Sequence, residues 1–338
     1  MSAPAASGAQ SGGAHSGHQV HALGGATMGT RWQASVSAPP GADLHALHRG
    51  VQACLDRVVA QMSTWERDSD ISRYNRAPAR SWQALPQPFF DVLAQGLAIA
   101  EATGGACDPT VGPVVDLWGF GPGGRPASPP DPAAIAAARA RVGWRRVRLD
   151  PEGCRAWQPG GVGLDLSGIA KGHGVDAAID WLRTQGVPAA LVEVGGELRA
   201  FGRKPDGRTW QVLAEAWPGD DGDDQGDDAA PPCVLALDDA AVATSGDCWH
   251  SFEHEGRRYS HTIDPRTGAP VEHAAAAVTV VAAETLAADA WATALTVVGP
   301  DAGFDLASRR GIAARFVVRA DAGVHERATA AFLRHLAP

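Results

Sequence analysis

Residues able to do chemistry gather in a few short stretches of the 338-residue chain. In "AETLAADAWATAL", Asp289 and Thr293 stand four positions apart, so on a helix they project from one face, one turn apart. A carboxylate and a hydroxyl so placed, with nearby carbonyl oxygens and water, suit a hard cation such as Mg²⁺, which commonly works beside substrate phosphates. The same spacing also fits an Asp on a solvated face and a Thr bonding back to its own turn. In "GLDLSGIAKGHGVD", a strand-like run carries Asp165, Ser167-Gly168 follows, and Lys171 falls in the first turn of a helix. Free N–H groups at a helix start, glycines and a lysine together favour phosphate, although the GxxxxGK[ST] order of a Walker loop is absent. The stretch "YSHTIDPRTGAPV" offers His261, which can exchange a proton near neutral pH. Taken as structure alone, it is a strand ending in an Asp-Pro-x-Thr-Gly turn, with Asp264 and Thr267 bonding local backbone.

Three further stretches are too constrained to be ordinary connections. "ATGGACDPTVGPVVDLWGFGP" crowds glycines, Asp108-Pro109 and Trp118 into a segment that is half loop, and such loops often line ligands. "ALGGATMGTRW" and "MSTWERDSDISRYN" set Met28 and Trp65 beside polar turns, as ligand surfaces or as core.

These residues need elements to hold them. Leu44, Leu47, Val51, Leu55, Val58 and Met62 recur at steps of three and four, which predicts a helix. A second helix is predicted over 87–102, and a third starts at Asp131-Pro132 with Gly143 as its stop. "RRVRLD" and "GVGLDL" look like short strands, followed by a helix from about 168 to 185 that ends at Gly186. "AALVEV", "ELRAFG", "TWQVLAEA", "CVLAL" and "AVATS" predict strands at close intervals. After them come "AAVTVVA", the helix bearing Asp289, the strand "AARFVV" and a terminal helix. The class is α+β, with largely antiparallel sheets and packed helices.

Composition narrows the function. Hydrophobic residues at 45% and charged residues at 20% describe an ordinary folded globular protein. A net charge of -9 without any Lys/Arg block argues against nucleic acid as partner. No apolar run approaches the roughly 18–20 residues that span a bilayer. The start is small and polar, without the features of a secretory signal, so the expected location is cytoplasmic as written, or periplasmic if the natural start is incomplete. Residues 1–19 are expected to be disordered, and 20–338 to form one domain carrying an acidic insertion at about 218–232. That insertion lacks the ligand order of a calcium loop. Five cysteines without CxxC spacing are expected as thiols, mostly buried.

In order along the chain, "MGT", "MSTWERDSDISRYN", "TGGACDPTVGPVVDLWGFG", "DLSGIAKGHGVD", "EVGGELRAFG", "TSGD", "SHTIDPRTG" and "ADAWATAL" resemble the ApbE family over residues 20–335. These are flavin transferases that take FMN from FAD and attach it to a protein threonine. The resemblance implies an FAD pocket between two halves of the fold, lined by Met28, Trp65, Ala106, Cys107, Asp108, Asp165, Lys171 and Ile263. Cys107 and His173 stand where larger aromatics are expected. The side chains of Asp289 and Thr293, with the carbonyls of Gly168 and Ala292, would hold Mg²⁺. Gly195-Gly196, Thr244, Ser245, Gly246 and Asp247 would wall the pocket. His261 would take the threonine proton, oriented by Asp264 or Asp247. FAD would be the substrate, and the partner an acceptor protein with a Thr-containing motif, such as a redox-chain subunit. The competing readings are an FAD pyrophosphatase giving FMN and AMP, and a non-catalytic FAD-binding protein.

Overall fold

The computed structural model describes residues 17–124, 126, 128–214, 233–246, 251–272, 275–320 and 323–338. Residues 1–16, the acidic insertion at 218–232 and Asp247 lie outside the described residues.

The chain opens with a hairpin of β1 (Gln19–Thr27) and β2 (Thr30–Ala38), turned by Met28 and Gly29 at φ 48° and 71°. Asp43 then accepts the Ala46 N–H at 2.9 Å and starts α1 (Leu44–Met62), which buries Val51, Leu55, Val58 and Met62 as the apolar spacing predicts. Next come α2 (Asp70–Asn75), β3 (Ser81–Ala84), α3 (Gln87–Ala102), α4 (Gly112–Leu117) and α5 (Pro132–Arg139). Helix α5 begins at the expected Asp131 cap but stops before Gly143, because Arg141 and Val142 donate to carbonyls three residues back and tighten the chain into a turn.

The two strands expected next are corrected. "RRVRLD" yields only β4 (Leu149–Asp150), and its partner is β5 (Arg155–Gln158). "GVGLDL" forms no strand beyond one bridge from Gly163 to Val111. The Asn75 side chain takes both the N–H and the carbonyl of Leu164, at 2.7 and 2.9 Å, so no ladder can use them.

The chain continues through α6 (Ala170–Thr184), β6 (Ala190–Val194), β7 (Glu197–Phe201), β8 (Trp210–Ala214), β9 (Cys233–Leu237) and β10 (Ala241–Gly246). Gly186 sits in the left-handed region at φ 74° just past α6, as a helix-terminating glycine should. Then follow β11 (Ser251–His254), β12 (Arg257–Ser260), β13 (Ile263–Asp264), β14 (Ala269–Pro270), β15 (Ala275–Ala282), α7 (Thr285–Val298), α8 (Pro300–Arg310), β16 (Ala313–Ala320) and β17 (Gly323–Ala328). The expected terminal helix is replaced by β17 and a short 3-10 turn at Phe332–His335, since β16 pairs with the backbone of β17 from Arg315 to Ala320.

Eight strands form one sheet in the order β1-β2-β6-β7-β10-β15-β16-β17, every neighbouring pair antiparallel. Both faces are covered. Ala190, Val192 and Val194 pack with Val51 and Leu55 of α1 and Ile179 and Leu182 of α6. Farther along, Val278, Val280 and Phe316 pack with Ala288, Ala292 and Leu295 of α7. On the opposite face, Trp210, Leu235, Leu237 and Phe332 cover Ala200, Val242 and Val281. Burial on both faces explains why these strands read as nearly continuous apolar runs. The α+β class with largely antiparallel sheets is therefore borne out. Among the described residues, no helix is long and apolar enough to cross a membrane.

Candidate functional site

Helices α6 and α7 meet at their N-terminal halves, and the charged residues expected to do chemistry meet there too. Gly172 makes the approach possible: a Cβ at that position would lie 2.5 Å from the Thr285 carbonyl oxygen. Its N–H donates to Asp289 Oδ2 at 3.0 Å. Lys171 forms an ion pair with Glu197 of β7. Asp289 and Glu197 are each 3% exposed, so two buried carboxylates face one ammonium. Burial raises the Asp289 carboxyl above the usual range, against the pull of Lys171. Burial, then the Asp289 charge, push Glu197 up to about 8, with Lys171 opposing. For Lys171, burial disfavours the charge, but Asp289 and Glu197 outweigh it and the net shift is upward.

The α7 donors are placed as the i, i+4 spacing requires. One turn beyond Asp289, Thr293 Oγ1 is 3.1 Å from Ser245 Oγ. The backbone of Gly168 packs on that hydroxyl, since a Cβ there would lie 3.0 Å from it. The Ala292 carbonyl accepts the Thr296 hydroxyl at 2.8 Å. The donor set is all oxygen, and among the described residues Glu197 Oε2 is buried without a hydrogen-bond partner. Among the described residues, no three His, Cys, Asp or Glu side chains gather to hold a metal. One carboxylate, one hydroxyl and backbone carbonyls fit a hard, hydrated cation such as Mg²⁺ and do not fit Zn²⁺.

The helix-start amides of α6 are less open than expected. Ala170 and His173 donate to the Leu166 and Ile169 carbonyls and Gly172 donates to Asp289, so chiefly the lysine side chain remains for an anion.

The other expected residues surround this cluster unevenly. Met28 reaches over α6, where a Cβ at Gly174 would meet its Cε at 3.0 Å. Ala106 is buried and Cys107 lies close enough to Asp289 to feel its charge. Burial first, then Asp289 and Asp108, push the Cys107 thiol up to about 12. Asp108 is a local organiser: Oδ1 accepts the Thr110 N–H and hydroxyl at 2.8 and 2.7 Å, and Oδ2 accepts the Trp144 N–H at 3.1 Å. Beside it lies a depression of about 260 Å³, lined by Gly104, Gly105, Arg139, Trp144 and Arg266. Asp165 Oδ1 accepts the Ser167 N–H at 2.8 Å, and the Asp165 charge helps raise the carboxyl of Asp116, after burial. Trp65, in the α1–α2 connection, is 65% exposed. No hydrogen bond ties its ring to the cluster among the described residues.

The segment from Ser251 to Val271 forms a separate, aromatic wall. Ile263 is buried with Val114, Trp118 and Phe252. His261 lies edge-on to Phe120, with ring centroids 6.3 Å apart. The turn is built as expected: Gly268 donates to the Asp264 carbonyl at 2.8 Å and Trp118 Nε1 donates to the Gly268 carbonyl at 2.9 Å. The Asp264 carboxylate, however, is paired with Arg266, from Nε to Oδ1 and Nη2 to Oδ2, both at 2.9 Å. The Arg266 N–H donates to Asp264 Oδ1 as well, at 2.8 Å, so the carboxylate is bonded into the turn. Of the expected pocket walls, Gly195 and Gly196 close the β6–β7 hairpin at φ 59° and 101°, and Ser245 touches Thr293.

Glu197 was not singled out from sequence, although it follows the Gly-Gly turn at an inward-facing strand position, where a charge needs a partner. Asp116 gave no signal beyond being an acid in an apolar stretch.

This geometry matches known proteins over nearly its whole length. Residues 28–316 match the model of the ApbE family. The FAD:protein FMN transferase of Haemophilus influenzae is 36% identical over 320 residues, covering 93% of this chain and 91% of that protein. The one from Vibrio cholerae is also 36% identical, covering 93% and 92%. The crystal structure of the Pseudomonas stutzeri flavinyl transferase ApbE, in its apo form, superposes with a TM-score of 0.85 at 41% identity, covering 94% of this chain and 97% of that one. The fold and the buried charged site thus define the class as an enzyme, a transferase. The chain belongs to the ApbE family.

Proposed function

We propose that this chain transfers FMN from FAD to a threonine hydroxyl of an acceptor protein, with AMP as the leaving group and Mg²⁺ required. The observation that carries the reading is the buried trio of Lys171, Glu197 and Asp289, set against Thr293 and Gly168. The side chains of Asp289 and Thr293, with the carbonyls of Gly168 and Ala292, would hold the cation. Bound there, Mg²⁺ would neutralise diphosphate charge and stabilise charge building on the departing AMP. Lys171 would steady the same diphosphate as a second cation. Met28 and the Ala106–Asp108 loop would hold the flavin nucleotide, the depression beside Asp108 having room for one end of a dinucleotide rather than the whole. His261 would accept the proton of the attacking threonine hydroxyl, and much of the rate would come from positioning.

The test is incubation of the protein with FAD, Mg²⁺ and a Thr-containing acceptor peptide. A fluorescent flavin bound covalently to the peptide, with one AMP released per flavin, is the expected result. Asp289→Ala should lower the rate by at least about 100-fold at matched Mg²⁺, by analogy with removal of one transition-state charge stabiliser. AMP released at the same rate without acceptor would instead make the chain a pyrophosphatase, and intact bound FAD would make it a storage protein.

A further inference from the structure

Helix α7 carries Asp289 and Thr293, yet its own flank does not cap it: Glu284 makes no side-chain bond to the helix start. The cap comes from α6. Asp176 accepts the Thr285 N–H on Oδ1 and the Leu286 N–H on Oδ2, each at 2.9 Å. The same carboxylate accepts Arg199 Nη1 of β7 at 2.7 Å. Asp176 is 8% exposed, so three elements meet at one buried carboxylate.

We propose that Asp176 is a positioning residue for the cation site, fixing α7 against α6 so that Asp289 and Thr293 stand opposite Gly168 and Lys171. This rests on the reading of Asp289 and Thr293 as cation ligands. A cap supplied by a helix's own flank satisfies its free N–H groups but leaves the helix able to shift as a body. A cap supplied by a neighbouring helix also fixes the separation of the two. Thr285 lies one turn before Asp289 and two before Thr293, about 6 and 12 Å along the axis at 1.5 Å per residue. Gly172, one turn before Asp176 on α6, makes the second hold by donating to Asp289 Oδ2. Two grips one turn apart fix both the spacing and the axial register of the helices. The link to β7 is doubled in the same way. Lys171 and Asp176 of α6 pair with Glu197 and Arg199, which are two apart and so point to one side of the strand. Negative charge at the start of α7 also complements its dipole.

The experiment titrates the full chain, without FAD, with Mn²⁺ alone and follows free Mn²⁺ by electron paramagnetic resonance. Asp176→Asn should raise the Mn²⁺ Kd by about tenfold or more, as loss of a supporting partner behind metal ligands does. In the transfer assay, the metal concentration giving half-maximal rate should rise by a similar factor, and added Mn²⁺ should recover much of the rate. A variant with lowered Tm but a wild-type Mn²⁺ Kd would overturn the proposal, leaving Asp176 only structural. If Asp176→Asn does not fold, Thr285→Pro removes one of the two N–H donors at a first helical position, where proline is tolerated. Its Kd should rise about threefold, and an unchanged value would equally overturn the proposal. The two readings separate through Asp289→Ala. If that variant binds Mn²⁺ as wild type does, the cation reading fails and this inference falls with it. If it loses Mn²⁺ while Asp176→Asn retains full affinity, only the inference fails.

Discussion

The two sides of the candidate site are held together by different forces. Around α6, α7 and β7 the cement is buried charge: Lys171 with Glu197, Arg199 with Asp176, and Asp289 with the Gly172 amide. Across the segment from Ser251 to Val271 it is aromatic contact and local turn bonding. Phe252 and Tyr259 stack at 5.0 Å, Tyr259 lies 5.5 Å from Trp118, and the Asp264 side chain, 13% exposed, pairs with an Arg266 side chain that is 43% exposed. Charges taken out of water lose most when a partner is removed, whereas stacked rings and surface pairs lose in small steps. The first side therefore suits fixed placement of charged groups, and the second suits a wall that adjusts to what it meets.

Lys171→Met puts the comparison under its largest strain. The substitution leaves two buried carboxylates facing each other with no ammonium. Removing one partner of a buried pair costs about 3–5 kcal/mol, and because the lysine side chain is 31% exposed we expect the lower end, near 3 kcal/mol. Denaturant titration at pH 7.5 would measure it, together with near-complete loss of flavin transfer. A loss below about 1 kcal/mol, the range of an exposed pair, would show that this side is no more electrostatically built than the other.

Much of this contrast was legible in the residues, though not evenly. Asp289 and Thr293 could be paired from spacing, because one helix dictates their geometry. The turn at Asp264–Gly268 could be read because proline and glycine fix local backbone. The trio could not be assembled, since Lys171, Glu197 and Asp289 come from three elements whose approach depends on Gly172 having no side chain. Asp176 was hidden for the same reason: a cap on α7 supplied from α6 leaves no mark near the start of α7. "GVGLDL" misled because its alternation suits a strand, while Asn75, 89 residues away from Leu164, claims the backbone a partner strand would need.

Glu197→Gln tests, through pH, whether burial keeps a proton on the first side. An unfolded glutamate titrates near 4.5, and the folded one near 8. Between those values the folded chain holds a proton that the unfolded chain has released. The stability that this proton confers is whole below about pH 4.5 and is lost as pH rises through 8. Glutamine mimics the protonated carboxyl at every pH. Wild type and variant should therefore be closest in stability at pH 5, with the variant gaining steadily on wild type up to pH 8. Urea midpoints measured at both ends, without divalent cations, give the comparison. A gap independent of pH would mean that Glu197 is ionised throughout, with Lys171 balancing it.

The smallest effect is expected on the aromatic side, at Asp264→Asn. The substitution removes a charge from a pair whose arginine side chain is 43% exposed, so stability should change by no more than about 1 kcal/mol. Asparagine keeps an oxygen for the Arg266 N–H, so the turn survives. Both Asp264 oxygens accept from Arg266. The rate of flavin transfer at pH 7.5 should stay within about threefold of wild type in Asp264→Asn and fall by at least about 100-fold in His261→Gln. A rate as low in Asp264→Asn as in His261→Gln would mean that the carboxylate and the histidine act together. The wall would then hold a coupled charge of its own, and the two sides would differ less than their contacts indicate.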